Sequence, residues 1–185
     1  MAWFRAPFTV SSALSALLLA GALASVPAYA DWHADLQPAQ FSGQGDFKFL
    51  GLPIYHAELW SVRLPVDFDA RFALQLTYAR DISRERLADT AIDEMKRLAP
   101  AELPAQTLER WHEDMLRSLT DVSRGDRLSA VFLPHQGVRF YAGDRLTAEI
   151  DDPTFARAFF DVWLDPKSRG PTLRRQLLGE PTPQH

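Results

Sequence analysis

The sequence predicts an α+β domain built on an antiparallel sheet, and three observations carry that expectation. Phe72 to Tyr78 alternates, with Phe72, Leu74, Leu76 and Tyr78 on one side and Ala73, Gln75 and Thr77 on the other. That is the period of a half-buried strand. Two later segments repeat apolar residues every three or four positions, the period of amphipathic helices. Strands, helices, strands and helices then follow one another, an order that suits an antiparallel sheet with helices packed on it.

Taken in order, Gln40 to Leu50 and Pro53 to Arg63 read as two strands joined at Gly51, and Phe72 to Tyr78 as the third. A helix is expected from Ser83, a suitable N-cap, with Glu85 complementing the helix dipole. Its stripe is Leu87, Ile92, Met95 and Leu98, and Pro100 stops it. A second helix starts near Pro104 and aligns Leu108, Trp111, Met115 and Leu119. Both are expected to lie as surface helices on the sheet.

A β-meander follows. Gly125-Asp126-Arg127-Leu128-Ser129-Ala130 and Gly143-Asp144-Arg145-Leu146-Thr147-Ala148 are near-identical hexapeptides. Repeated turn chemistry explains them better than a duplicated binding motif, because Gly-Asp suits a turn entering a strand. Leu133 to Gly137 and Ala142 to Asp144 serve as hairpin connections. Asp152-Pro153 then opens a helix as N-cap and first residue. Phe155, Phe159, Phe160, Val162 and Trp163 make that helix apolar around most of its surface, so deep burial is expected. Gly170-Pro171 restarts a short helix, Leu177-Leu178-Gly179 ends it, and Glu180 to His185 is a polar tail.

The N-terminus has the three parts of a secretory signal. Arg5 and the amino terminus supply positive charge, Val10 to Ala24 is apolar, and Ala28-Tyr29-Ala30 is a small-x-small cleavage site after Pro27. Residues 1–30 are therefore expected to be a signal peptide cleaved after Ala30, leaving residues 31–185 as one domain in the bacterial periplasm. A membrane span needs about 20 strongly apolar residues, and this run is shorter and Ala-rich. With no cysteine in the chain, a lipid anchor, disulfides and thiolate metal sites are excluded. No membrane anchor is expected after cleavage. Net charge is −4, and removing Arg5 makes it −5. A mildly acidic domain gives nucleic acid no electrostatic footprint.

Motifs for catalysis are sparse. His56-x-Glu58 puts two ligand-type side chains on one strand face, but His33, His112 and His135 add no third ligand at a useful spacing. His112 is expected to pair with Glu109 or Glu113, and His135 to sit exposed in a hairpin turn. There is no Gly-x-Ser-x-Gly elbow and no Walker loop, and Gly43-x-Gly45 lacks a third glycine and a following helix. No metal and no cofactor are expected. Lys48, Tyr55, Tyr78, Arg80, Arg139 and Tyr141 lie on or beside strands, where polar groups can mark the polar end of an apolar pocket. The alternative is packed tyrosines and snorkelling arginines.

Ordered landmarks then align. They are Gly43-x-Gly45, Pro53-Ile54-Tyr55-His56-Ala57-Glu58-Leu59-Trp60, Leu76-Thr77-Tyr78-Ala79-Arg80-Asp81-Ile82, and Gly125-Asp126-Arg127-Leu128. Gly137-Val138-Arg139-Phe140-Tyr141, Phe155 to Pro166, and Leu177-Leu178-Gly179 complete the series. Together they resemble the bacterial, exported branch of the chalcone isomerase-like family. The resemblance implies an open-faced β-sandwich with helices on a large antiparallel sheet and a cleft between them. In that family the cleft holds a chalcone that is cyclised, or a fatty acid in members that do not catalyse.

The plant enzymes of the family use an arginine after the early glycines to stabilise an oxyanion, and an active-site asparagine. Here no arginine lies between Asp31 and Val62, the segment after Gly45 reads Asp46-Phe47-Lys48, and the chain has no asparagine. Lys48 supplies charge without a guanidinium fork, and Tyr55 stands near where the enzymes have threonine. Chalcone cyclisation is therefore not expected. The resemblance implies instead a periplasmic protein that binds a hydrophobic small molecule, foremost a fatty acid, without turning it over. Tyr55, Tyr78, Arg80 and Lys48 are the candidate ligand-binding residues. The alternatives are an isomerase or lyase acting on an unsaturated or lipid-derived acid, and a structural or partner-binding envelope protein.

Overall fold

In the computed structural model residues 31–181 are described, so the signal-peptide expectation for residues 1–30 lies outside the described residues, as does the end of the tail. Among the described residues six strands form one antiparallel meander in chain order: β1 (Gln40–Phe49), β2 (Leu52–Ser61), β3 (Phe72–Tyr78), β4 (Arg127–Leu133), β5 (Gly137–Ala142) and β6 (Arg145–Ile150). The elements are those expected from the sequence, with strand ends displaced by one or two residues. The helices are α1 (Trp32–Asp35), α2 (Arg84–Leu98), α3 (Ala105–Ser118), α4 (Pro153–Leu164) and α5 (Pro171–Leu177). The four-residue α1 was not foreseen.

Cross-strand register sorts the side chains onto two faces. Tyr55 pairs with Tyr78, Ala57 with Leu76, and Leu59 with Leu74, and all of these face the helices. Trp60 pairs with Ala73 on the opposite face, where α1 packs Trp32 and Leu36 against Val131, Leu133 and Tyr141. The main core is on the helix side. Phe72 stacks on Phe132 with ring centroids 4.8 Å apart, and Phe160 of α4 meets the Phe72 ring edge-on at 4.8 Å. The whole-surface apolarity of α4 is thus spent in burial: Phe155 and Phe160 are fully enclosed.

Two glycines of β1 let α5 dock. A Cβ on Gly43 would stand 1.9 Å from the Gln176 carbonyl oxygen, and one on Gly45 would stand 2.1 Å from Gln176 Oε1. The Ser42 hydroxyl donates to the Leu177 carbonyl at 2.8 Å beside them. Gly43-x-Gly45 is therefore a helix-docking surface in this chain, not a phosphate loop. The repeated hexapeptides are turn chemistry, as expected: Gly125 and Gly143 both have positive φ at the entries to β4 and β6.

The helices do not all lie on the sheet. α3 packs against β6 and α4 against β5, whereas α2 rests on α3 and α4. The expectation that α2 is laid on the sheet is corrected accordingly, because α3 and α4 prop it away and leave a gap. Asp152 ties this frame together. It caps α4 by accepting from the Thr154 and Phe155 amides at 2.9 and 3.0 Å, and it accepts from Trp111 Nε1 of α3 at 3.0 Å. Burial opposes its ionisation, yet these hydrogen bonds, with Arg110 nearby, hold its carboxyl below the usual carboxylate value.

Candidate functional site

The gap under α2 is a cavity of about 630 Å³, within the range of roughly 300–1,000 Å³ typical of small-molecule sites. Its floor is the helix-facing side of the sheet, with Leu74, Leu76, Leu128 and Ala130, and its roof is the α2 face carrying Leu87, Ala91 and Glu94. Phe159 and Trp163 of α4 form a wall. The next rung of the sheet is filled by Phe72 and Phe132, which pack on Phe160 and lie outside the lining.

Polar groups gather toward the opposite end. Tyr55 and Tyr78 sit on one cross-strand rung with their rings edge-to-face at 6.1 Å. The Tyr55 ring stacks on Phe47 at 5.2 Å, and its hydroxyl accepts from Trp163 Nε1 at 3.0 Å. That bond uses an acceptor site and leaves the Tyr55 proton free to donate. The Tyr78 hydroxyl hydrogen-bonds no protein group among the described residues. Burial pushes both phenols well above the ordinary tyrosine value; Glu94 adds to the effect at Tyr55, and Tyr55 itself adds to it at Tyr78. Each therefore keeps its proton at physiological pH and presents a donor.

The rim is exposed and carries Arg80, Asp81, Ser83, Arg86 and Arg169. Arg169 Nε lies 2.6 Å from Glu94 Oε1, and Arg97 Nη2 lies 2.8 Å from Glu94 Oε2. Glu94 is thus clasped by two guanidinium groups, which explains how a carboxylate is tolerated in a largely buried position. Arg80 and Arg86 make no ion pair among the described residues.

Of the residues expected at the polar end, Tyr55, Tyr78 and Arg80 come together around the cavity. Lys48 does not: it is exposed and is not part of the lining, while its neighbours Phe47 and Phe49 are. Arg139 and Tyr141 are on the other face of the sheet. Arg139 pairs with Asp35 at 2.8 Å and Glu149 at 3.0 Å, and the Tyr141 hydroxyl donates to Asp35. His56 and Glu58 also face away from the cavity, and each is occupied. His56 Nδ1 lies 2.7 Å from Asp46, and Glu58 accepts from Gln75 at 2.9 Å. Among the described residues no group of three or more His, Asp or Glu could hold a metal ion. His112 pairs with Asp89 of α2 at 2.8 Å, not with Glu109 or Glu113, because α2 and α3 pack side by side. Arg86, Glu94 and Arg169 were not foreseen. Glu94 and Arg86 flank the apolar stripe of α2, and that position is the signal that marks them.

No lining residue is a histidine or a cysteine. Ser83 is engaged as the α2 cap, with its hydroxyl accepting from the Arg86 amide. The arrangement offers an apolar chamber, two phenol donors and a basic rim.

The sequence matches the profile of the chalcone isomerase-like family over residues 63–179. No curated protein matches the sequence. Among solved structures, the chain is similar to a fatty-acid binding protein of Arabidopsis thaliana. The TM-score is 0.60 at 9% identity, over 77% of this chain and 87% of that one. At that identity the likeness is one of fold, an open antiparallel sheet with helices packed on it. The match of more than half the chain to the family profile, together with this fold, places the protein: it belongs to the chalcone isomerase-like family.

Proposed function

We propose that this protein is an exported, non-catalytic binder of a fatty acid or a similar long apolar molecule ending in a polar oxygen group. The observation that carries the proposal is the cavity itself. Its lining is mostly apolar, with Leu, Ala, Met and Phe side chains, and the two phenols Tyr55 and Tyr78 share one rung of it. An apolar chain gains from leaving water for that chamber, at about 0.8 kcal/mol per buried CH₂. The oxygen end then meets the Tyr55 and Tyr78 hydroxyls, and Arg80 and Arg86 line the same cavity. The plant fatty-acid binding protein with the same fold is consistent with such a cargo.

The same groups support binding without turnover. General acid–base work favours a group whose pKa lies near the operating pH, whereas Tyr55 and Tyr78 are shifted upward, away from it. Of the two carboxylates in the cavity lining, Glu94 is held by Arg97 and Arg169, and Asp81 accepts from the Arg124 amide. Export to the periplasm is part of the proposal, supported by the tripartite pattern of residues 1–30.

Solvent extraction of the protein recovered from periplasm, followed by mass spectrometry, tests the cargo and the address together. The expected results are a co-purifying fatty acid and a protein mass that begins at Asp31. An empty protein that no fatty acid stabilises against heat contradicts the ligand proposal, and a retained N-terminus contradicts the export proposal.

A further inference from the structure

The β1–β2 hairpin carries an apolar tip where a polar one costs less. Phe49 pairs with Leu52, so Leu50 and Gly51 form a two-residue turn, both at positive φ (50° and 80°). Asn-Gly or Asp-Gly is favoured in such a turn, because Asn and Asp tolerate the left-handed conformation. Here the strained position is held by leucine, and that leucine is 87% exposed. Phe49 and Leu52 beside it are 54% and 56% exposed. Phe41, Leu64 and Leu146 are the other large hydrophobics exposed among the described residues, and they are scattered along the chain. Single exposed hydrophobics are ordinary, but a contiguous apolar knob marks an interaction site.

The knob adjoins the cavity mouth. Phe49 and Ile54, at the base of the turn, line the cavity. Cations flank it: Lys48 precedes the tip, and Arg80 and Arg86 stand on the rim, none of them in an ion pair among the described residues. Carboxylates also stand beside Arg86: Asp89 pairs with His112, and Asp93 is exposed with no partner among the described residues. Glu85 is held by Arg84, and Asp81 accepts from the Arg124 amide at 3.2 Å. A net acidic chain thus sets two unpaired cations, Lys48 and Arg80, beside the bare hydrocarbon of the tip. That combination complements the surface of an anionic bilayer, where apolar side chains enter the acyl boundary and basic groups meet the headgroups.

We propose that the Phe49–Leu52 tip inserts into the interface of an anionic lipid bilayer and seats the cavity mouth against it. Given the ligand proposed above, cargo then passes between bilayer and cavity without crossing water. Among the described residues no helix is long and apolar enough to cross a membrane, and the docking proposed is peripheral.

The test compares the parent protein with the variant Leu50→Asn/Leu52→Thr, both carrying the same N-terminus. The readout is co-sedimentation with vesicles of phosphatidylethanolamine containing a minority of phosphatidylglycerol. The variant replaces the strained leucine with the favoured Asn-Gly turn, so its thermal midpoint is expected to equal or exceed the parent's. Its partitioning into the vesicles is expected to fall by at least about tenfold, the effect of exposing one leucine-sized side chain again. Vesicles of phosphatidylcholine alone are expected to retain the parent several-fold less, and equal retention overturns the anionic preference. A parent that does not sediment, or a variant that sediments as well, overturns the docking. A parent that is dimeric on gel filtration and a variant that is monomeric, with neither sedimenting, assigns the tip to a second copy and also overturns it. Titration of both proteins with free oleic acid separates this proposal from the one it rests on. Neither Leu50 nor Leu52 lines the cavity, so both proteins are expected to bind alike. Sedimentation lost in the variant with oleate binding intact supports the docking, whereas absent oleate binding in both counts against the ligand alone.

Discussion

The two faces of the one sheet put their polar side chains to different use. On the face covered by α1, most have found a partner, and Trp60 Nε1 is buried without one. Arg139 lies between Asp35 and Glu149, Tyr141 donates to Asp35, His56 pairs with Asp46, and Gln75 donates to Glu58. On the face covered by α2, α4 and α5, the polar groups are few. The Tyr78 hydroxyl has no protein partner there among the described residues, and Tyr55 keeps a proton to give. The spare phenol protons on the helix side lie at the cavity, where an oxygen of a bound molecule would accept them. The paired groups on the other side are explained by the fold alone.

Substitutions on each face can break that contrast. The largest effect is expected from Phe160→Ala, which empties the packed rung that closes the cavity. A loss of about 3–5 kcal/mol in denaturant unfolding is the scale for a buried phenylalanine. A loss below about 1 kcal/mol would mean that the rung is not tightly packed. Next is Asp152→Ala, expected to cost about 1–2 kcal/mol at neutral pH through loss of the α4 cap. The folded-state pKa of Asp152 is depressed, so its stabilisation is fully present above the unfolded carboxylate value of about 3.9 and is lost as pH falls through the lower folded value. Parent and variant should therefore converge in acid, and a gap that persists there would contradict the assigned charge. Tyr141→Phe removes one hydrogen bond to a carboxylate that keeps Arg139, and a cost of about 1 kcal/mol is expected. Tyr78→Phe is expected to change stability by less than about 0.5 kcal/mol, since nothing in the fold uses its hydroxyl. It should nonetheless weaken binding of a fatty acid about tenfold, measured by calorimetric titration. Equal binding by Tyr78→Phe would place the polar end elsewhere.

Much of the fold was legible because its signals are local. Alternation marked β3 to the residue, and Ser83 and Asp152 marked the starts of α2 and α4. The four-residue α1 has no period to detect, and its anchor Trp32 is buried only through partners distant in sequence. Half of the candidate site was legible for the same local reason: Tyr78 shares its face with Leu76 and Leu74. The same alternation separates Lys48 from Phe47 and Phe49, and Tyr141 from Phe140, so those two were decidable from their neighbours. The cavity was not legible. It exists because α3 and α4 hold α2 away from the sheet, and no feature of α2's own stripe records that separation.

The central claim, that the chamber beneath α2 holds an apolar cargo, is tested most directly by filling it. Ala91 lines the roof, and Ala91→Phe projects a ring into the chamber. The measurement is fluorescence titration of parent and variant with cis-parinaric acid, with thermal unfolding followed in parallel. Saturable binding by the parent is expected, with affinity at least about tenfold weaker in the variant and its unfolding midpoint maintained. A folded variant that binds as tightly as the parent, or a parent that does not bind, would contradict the account.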